Sequence, residues 1–125
     1  VVLPIFCGQI IGLQIVIVMG VHRYVLAGEN AMKALDKISS RVVHVHFKDW
    51  QIVQPKDETS DHLITGFDGQ LYEGVALGAG QVDLQAAVNQ LKELNYTGYI
   101  SVEYEGIGEP MNAVRRGVQY LRLLL

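Results

Sequence analysis

The sequence predicts an α/β fold in which parallel strands are covered by helices. Three observations lead there. Strand-like and helix-like segments alternate along the chain, the order expected of a parallel sheet with crossover helices. The N-terminal stretch is a nearly unbroken apolar run, as strands buried on both faces are. Two later strands each carry ionisable side chains on a single face, toward their C-terminal ends.

Val2–Phe6 reads as a short strand or an apolar turn of helix, and Leu13–Met19, β-branched and apolar, as a buried strand. Gly28-Glu29-Asn30 turns the chain into a helix with Asn30 as N-cap, and Met32, Leu35 and Ile38 form its apolar stripe. Arg41–Phe47 is a second strand. Trp50 to Ser60 is polar, contains Pro55 and reads as a loop. Within the same long connection, Leu63–Phe67 and Gln70–Val75 flank Asp68-Gly69, the favoured dipeptide of a tight hairpin. Gly78-Ala79-Gly80 is a further turn. Asp83 caps a helix carrying Leu84, Ala87, Val88, Leu91 and Leu94, and Asn95–Gly98 turns into a third strand, Tyr99–Tyr104. Gly106–Pro110 is a loop. Pro110 opens a last helix whose apolar face holds Val114, Val118, Leu121 and Leu125.

The bulk properties narrow the function. The chain has 125 residues, half of them hydrophobic, enough for one domain with a real core. A formal net charge of −3 gives no basic surface for nucleic acid. The single cysteine, Cys7, permits no intrachain disulfide and reads as an inert buried thiol, consistent with a reducing, cytoplasmic setting. Val1 to His22 contains no Asp, Glu, Lys or Arg. That stretch meets the crude criterion for a membrane span, but Pro4, Gln9, Gln14 and three glycines interrupt it. Buried strand–loop–strand is the preferred reading.

The strand faces carry the chemistry. In Val42–Phe47 the alternation sends Val43, Val45 and Phe47 to one side and His44 and His46 to the other. In Tyr99–Tyr104 it groups Ile100, Val102 and Tyr104 against Tyr99, Ser101 and Glu103. An imidazole and a carboxylate meeting at the strand ends suit a divalent transition metal, with Mg²⁺ favoured by oxygen-richer sites. The bland alternative is a hydrogen-bonded core histidine and a solvated rim glutamate, and spacing alone does not choose between them.

Four ordered segments resemble a known family. Arg41-Val-Val-His-Val-His-Phe-Lys-Asp49 is similar to the HxHxKD strand of xylose isomerase-like sugar isomerases and epimerases. Leu77-Gly-Ala-Gly-Gln-Val-Asp-Leu84 resembles their LGxGxVD turn, and Tyr96-Thr-Gly-Tyr-Ile-Ser-Val-Glu-Tyr-Glu105 their YxGxIxVEYE strand. Tyr24-Val-Leu-Ala-Gly-Glu-Asn30 resembles the segment after their D-x-G-H metal motif. The resemblance implies a TIM-type (β/α) barrel, here the C-terminal half, and a divalent metal: Mn²⁺, with Mg²⁺, Co²⁺ or Zn²⁺ as alternatives. It also implies a sugar or polyol substrate and proton transfer beside a carbonyl. Carried over by position, His46 and Glu103 are metal ligands, with His22 as a candidate third. Glu103 and Lys48 are the candidate catalytic groups. His44 stands behind the ligands, Asp49 lines the mouth with Lys48, and Glu105 sits on the loop rim.

Three departures from the family pattern matter. Where D-x-G-H belongs, the chain reads Met19-Gly-Val-His-Arg23. Without a gap, Gly20 and Arg23 take the Asp and His positions; a one-residue shift recovers His22 but puts Met19 at the Asp position, and either way the carboxylate is missing. No acidic residue precedes Glu29, so an earlier glutamate ligand is lacking. The chain is also shorter than a whole barrel of about 250 residues. The sequence therefore predicts one partial-barrel unit over residues 1–125, with a divergent apolar segment at 1–22. Two copies would pair as a homodimer to complete the sheet. The functional expectation is a sugar or sugar-phosphate isomerase/epimerase. The alternative is a catalytically inactive half-barrel serving as a structural or binding module. An endonuclease role is disfavoured, because Tyr72-Glu-Gly74 stands where an Asp-x-His would supply extra ligands.

Overall fold

The computed structural model describes residues 19–20, 42, 44–54 and 62–125. The elements found there are β1 (Met19–Gly20), β2 (His44–Phe47), β3 (Asp49–Val53), β4 (Leu63–Thr65), β5 (Leu71–Val75), α1 (Leu84–Glu93), β6 (Tyr99–Val102) and α2 (Pro110–Leu124). The apolar N-terminal run before Met19, the helix expected after Asn30, and His22 all lie outside the described residues.

Two sheets form. The first is parallel, in the order β1-β2-β6, and is open rather than closed among the described residues. In it Gly20 pairs with His46, and His44, Val45, His46 and Phe47 pair with Tyr99, Ile100, Ser101 and Val102. The ladder runs one bond past β6, where Glu103 N–H donates to the Phe47 carbonyl at 2.9 Å. The second sheet is antiparallel, in the order β3-β5-β4, and is inserted between β2 and α1.

The parallel arrangement and the partial barrel agree with the sequence. Alternation on β2 buries Val45 and Phe47 at 1% exposure each and leaves the two histidines on the other face. Against the apolar face packs α1, whose Leu84, Ala87, Val88 and Leu91 are buried at helical spacing. Asp83 caps α1 as expected, accepting from Ala86 N–H at 2.9 Å. On α2 the buried positions are Gly117 and Leu121, whereas Leu125 is 61% exposed rather than on the apolar face. No helix among the described residues is long and apolar enough to cross a membrane.

One element differs from expectation. Asp49–Val53 is a strand, not part of a loop, and it pairs with β5 along five registered positions from Asp49↔Val75 to Val53↔Leu71. The polar residues that suggest a loop, such as Gln51, sit on a strand that only distant pairing defines. The expected hairpin is present. Gly69, with φ +77°, donates to the Gly66 carbonyl, and Asp68 braces the turn by accepting from Gln70 N–H.

Candidate active site

β2 and β6 lie side by side with their C-terminal ends together, so their polar faces merge. Three rungs result. The lowest joins His44 Nε2 to Ser101 Oγ at 2.7 Å. Above it, His46 Nδ1 hydrogen-bonds a Glu103 carboxylate oxygen. At the top, Lys48 Nζ donates to the other Glu103 oxygen at 2.7 Å and also to Glu105. The rings of His44 and His46 stand 4.6 Å apart, tilted by 43°. The cluster is partly covered: the side chains of His46 and Lys48 are 14% and 12% exposed, those of Glu103 and Glu105 28% and 33%.

The electrostatics follow from these contacts. Burial opposes ionisation of Glu103, but the Lys48 ammonium and the His46 ring outweigh it and hold its carboxyl below the ordinary value. Burial likewise opposes the charge on Lys48. Its two carboxylate partners outweigh that, and its pKa is raised. The top rung thus holds the Lys48 ammonium against the ionised Glu103, with Glu105 as its second partner.

Residues 19–124 match a family model described as a xylose isomerase-like TIM barrel. The chain belongs to that family. It is 31% identical over 83 residues to an inosose dehydratase of Lacticaseibacillus casei, covering 65% of this chain and 27% of that protein. It is 30% identical over 107 residues to an inosose dehydratase of Clostridium perfringens, covering 78% of this chain and 34% of the relative. A solved xylose isomerase domain protein from Planctomyces limnophilus superposes with a TM-score of 0.52 at 26% identity, covering 76% of this chain and 29% of that one. The chain therefore spans about a third or less of the length of the relatives it matches.

In this xylose isomerase-like chain the structure brings His44, His46, Lys48 and Glu103 together. Asp49 goes elsewhere. Only 2% exposed, it does not line the mouth. Its carboxylate accepts from the backbone N–H groups of Gly78 (2.9 Å), Gly80 (2.9 Å) and Val82 (3.1 Å), and from its own neighbour Trp50 (2.9 Å). Asp49 thus fastens the Gly78–Gly80 turn. That turn fits so tightly that a Cβ on Gly80 would stand 2.2 Å from Asp49 Oδ1. The conjunction of an aspartate after β2 with two glycines about thirty residues on was the available signal, but only the fold shows them touching.

Glu105 is the residue that the family resemblance undervalues, although alternation carried past Glu103 puts it on the same face. Assigned to the rim, it shares the Lys48 ammonium. Tyr104, between the two glutamates, points the other way. It lines a cavity of about 330 Å³ with Gln51, Glu73, Asn112 and Arg116, behind the strand from the histidines.

The donor types at His46 and Glu103 suit a borderline divalent cation: an imidazole nitrogen and a carboxylate oxygen stand side by side, here hydrogen-bonded to each other. No group of three such donors occurs among the described residues. A catalytic centre usually takes three protein ligands, so a third would have to come from outside them. β1 bears on this, because Gly20 lies in register with His46, and glycine offers no carboxylate at that station.

Proposed function

We propose that this chain carries part of a metal-dependent site for proton transfer beside the carbonyl of a sugar or polyol. The observation that carries the reading is Glu103, held between His46 and Lys48 at the C-terminal ends of parallel strands, the usual place for barrel active sites. In this proposal Glu103 and His46 contribute two ligands and His22 a third. Bound there, a divalent ion such as Mn²⁺, or alternatively Mg²⁺, Co²⁺ or Zn²⁺, would polarise the carbonyl and hold a neighbouring oxygen.

The protein's own groups do the rest. Glu103, kept ionised by its neighbours, takes the proton from the carbon next to the carbonyl, and the C–H electron pair becomes the enolate. The Lys48 ammonium faces the developing negative charge. From the enolate, return of the proton to the opposite face of the same carbon completes an epimerisation. Where that carbon bears a hydroxyl, delivery of the proton to the former carbonyl carbon, with the hydroxyl proton passing to the former carbonyl oxygen, completes an isomerisation. Loss of a hydroxyl from the next carbon, with a proton supplied by Lys48, completes a dehydration. Relatives named as inosose dehydratases favour a keto-polyol substrate and the second outcome. His44, bonded to Ser101, steadies the His46 ring beside it. We further propose a homodimer in a cytoplasmic setting.

The test is deuterium exchange. Incubated with Mn²⁺ and an inosose in D₂O, the protein should exchange the proton beside the carbonyl, and Glu103→Gln should abolish the exchange. Absence of exchange with any of the four metals would contradict the reading. It would favour the alternative, an inactive binding module, for which Gly20 opposite His46 already speaks.

A further inference from the structure

Lys48 belongs to β2, Glu105 to the segment after β6, and nothing in the parallel ladder fixes Glu105. Its position is set from the other sheet. Gly74, in β5, lies so close that a Cβ there would stand 2.8 Å from the carbonyl carbon of Glu105. A Cβ on Gly106 would stand 1.9 Å from the Gly74 oxygen. Two backbones meet here with no room for a side chain on either. β5 is in turn laddered to β3, and β3 begins at Asp49, the residue after Lys48. The contacts form a closed circuit: Lys48 to β3, β3 to β5, Gly74 to Glu105, and Glu105 back to the Lys48 ammonium.

We propose that Glu105 is a positioning residue for Lys48, and that the antiparallel insertion is the brace that sets it. This rests on reading Lys48 as the group that meets the substrate. An exposed lysine–glutamate pair would contribute little. Here the lysine side chain is only 12% exposed and divides its donors between two carboxylates. Without Glu105, the ammonium has Glu103 alone, and the flexible four-carbon stem is free to leave the site. Glu105 thus keeps Lys48 at its station without touching the reacting atoms.

The experiment is trace acetylation of the full chain, free of metal and substrate, read by peptide mass spectrometry as the ratio of Lys48 to Lys92 labelling. Lys92, which donates to the Leu124 carbonyl, is an internal reference remote from the site. Glu105→Gln should raise the ratio about tenfold, as loss of one charge-assisted hydrogen bond allows. Gly74→Ala should raise it too, although it removes no charge. An unchanged ratio in Glu105→Gln, or Lys48 and Lys92 rising together, overturns the proposal. An unchanged ratio in a folded Gly74→Ala overturns the brace. Should that variant not fold, Glu105→Gln decides the role of Glu105, and Val75→Gly, which loosens β5 without putting a Cβ between the two backbones, tests the brace in its place, an unchanged ratio overturning it. Neither metal nor turnover enters the measurement, so failure of the proposed reaction leaves it readable.

Discussion

Asp49 and Glu103 are both carboxylates on adjoining segments, yet they are held in opposite ways. Asp49 is buried, and its partners are backbone N–H groups of a glycine turn and its own neighbour. Those donors cannot rotate away, and the carboxylate has no capacity left for a ligand. Glu103 is part-exposed, and the partners of its carboxylate are two side chains, His46 and Lys48. Such partners can turn to face a cation or a substrate and turn back. The difference separates a carboxylate that builds the fold from one available for chemistry, although both sit within motifs the sequence marks as functional.

The comparison breaks most sharply at Asp49. Asp49→Ala leaves three distant backbone donors without an acceptor in a buried turn, and should cost about 3 kcal/mol or more. The check is the urea midpoint. Gly80→Ala attacks the same centre from the other side, through a Cβ 2.2 Å from Asp49 Oδ1 and 2.5 Å from the Trp50 oxygen. Overpacking of this kind costs about 1–3 kcal/mol, again read from denaturation. Asp83 provides a calibration. Its carboxylate also accepts a backbone N–H, but only one and at the surface, so Asp83→Ala should cost about 1 kcal/mol.

Glu103 should respond differently, in titration more than in stability. Lys48→Met removes the strongest pull on its carboxyl and leaves the opposing effect of burial, so Glu103 should titrate at higher pH than in the wild type. Carboxyl NMR measures this. In the wild type the depressed carboxyl contributes stability that is present above its unfolded value, near 4.5, and is lost as pH falls through the lower folded value. The raised Lys48 contributes stability that is present below 10.5 and lost as pH rises through its folded value. Both contributions should be small, below about 1 kcal/mol, because the groups are part-exposed. Lys48→Met should flatten both limbs of the stability–pH curve, and Asp49→Ala should leave the Glu103 titration in place.

Local signals were readable along the chain. The Asp83 cap, the Asp68-Gly69 turn, the α1 stripe and the alternating faces of β2 and β6 depend on neighbours a few residues away. They place His46 and Glu103 correctly on the polar face. What the sequence hides is non-local. β3 is a strand because β5 pairs with it, Asp49 is buried because the turn at Gly78–Gly80 folds over it, and Glu105 reaches Lys48 because Gly74 admits the backbone beside it. The last helix shows the same limit in milder form. Pro110 marks its start, but the cap is Glu109, whose carboxylate accepts from Met111 and Asn112 N–H.

The central claim is that His46 and Glu103 are two ligands of a divalent-metal site, and Mn²⁺ titration of the full chain followed by electron paramagnetic resonance tests it most directly. The account predicts saturable binding that His46→Ala and Glu103→Gln each weaken severely, while Asp83→Ala leaves it unchanged. Binding unaffected by both site substitutions, or no saturable binding in the wild type, would contradict it.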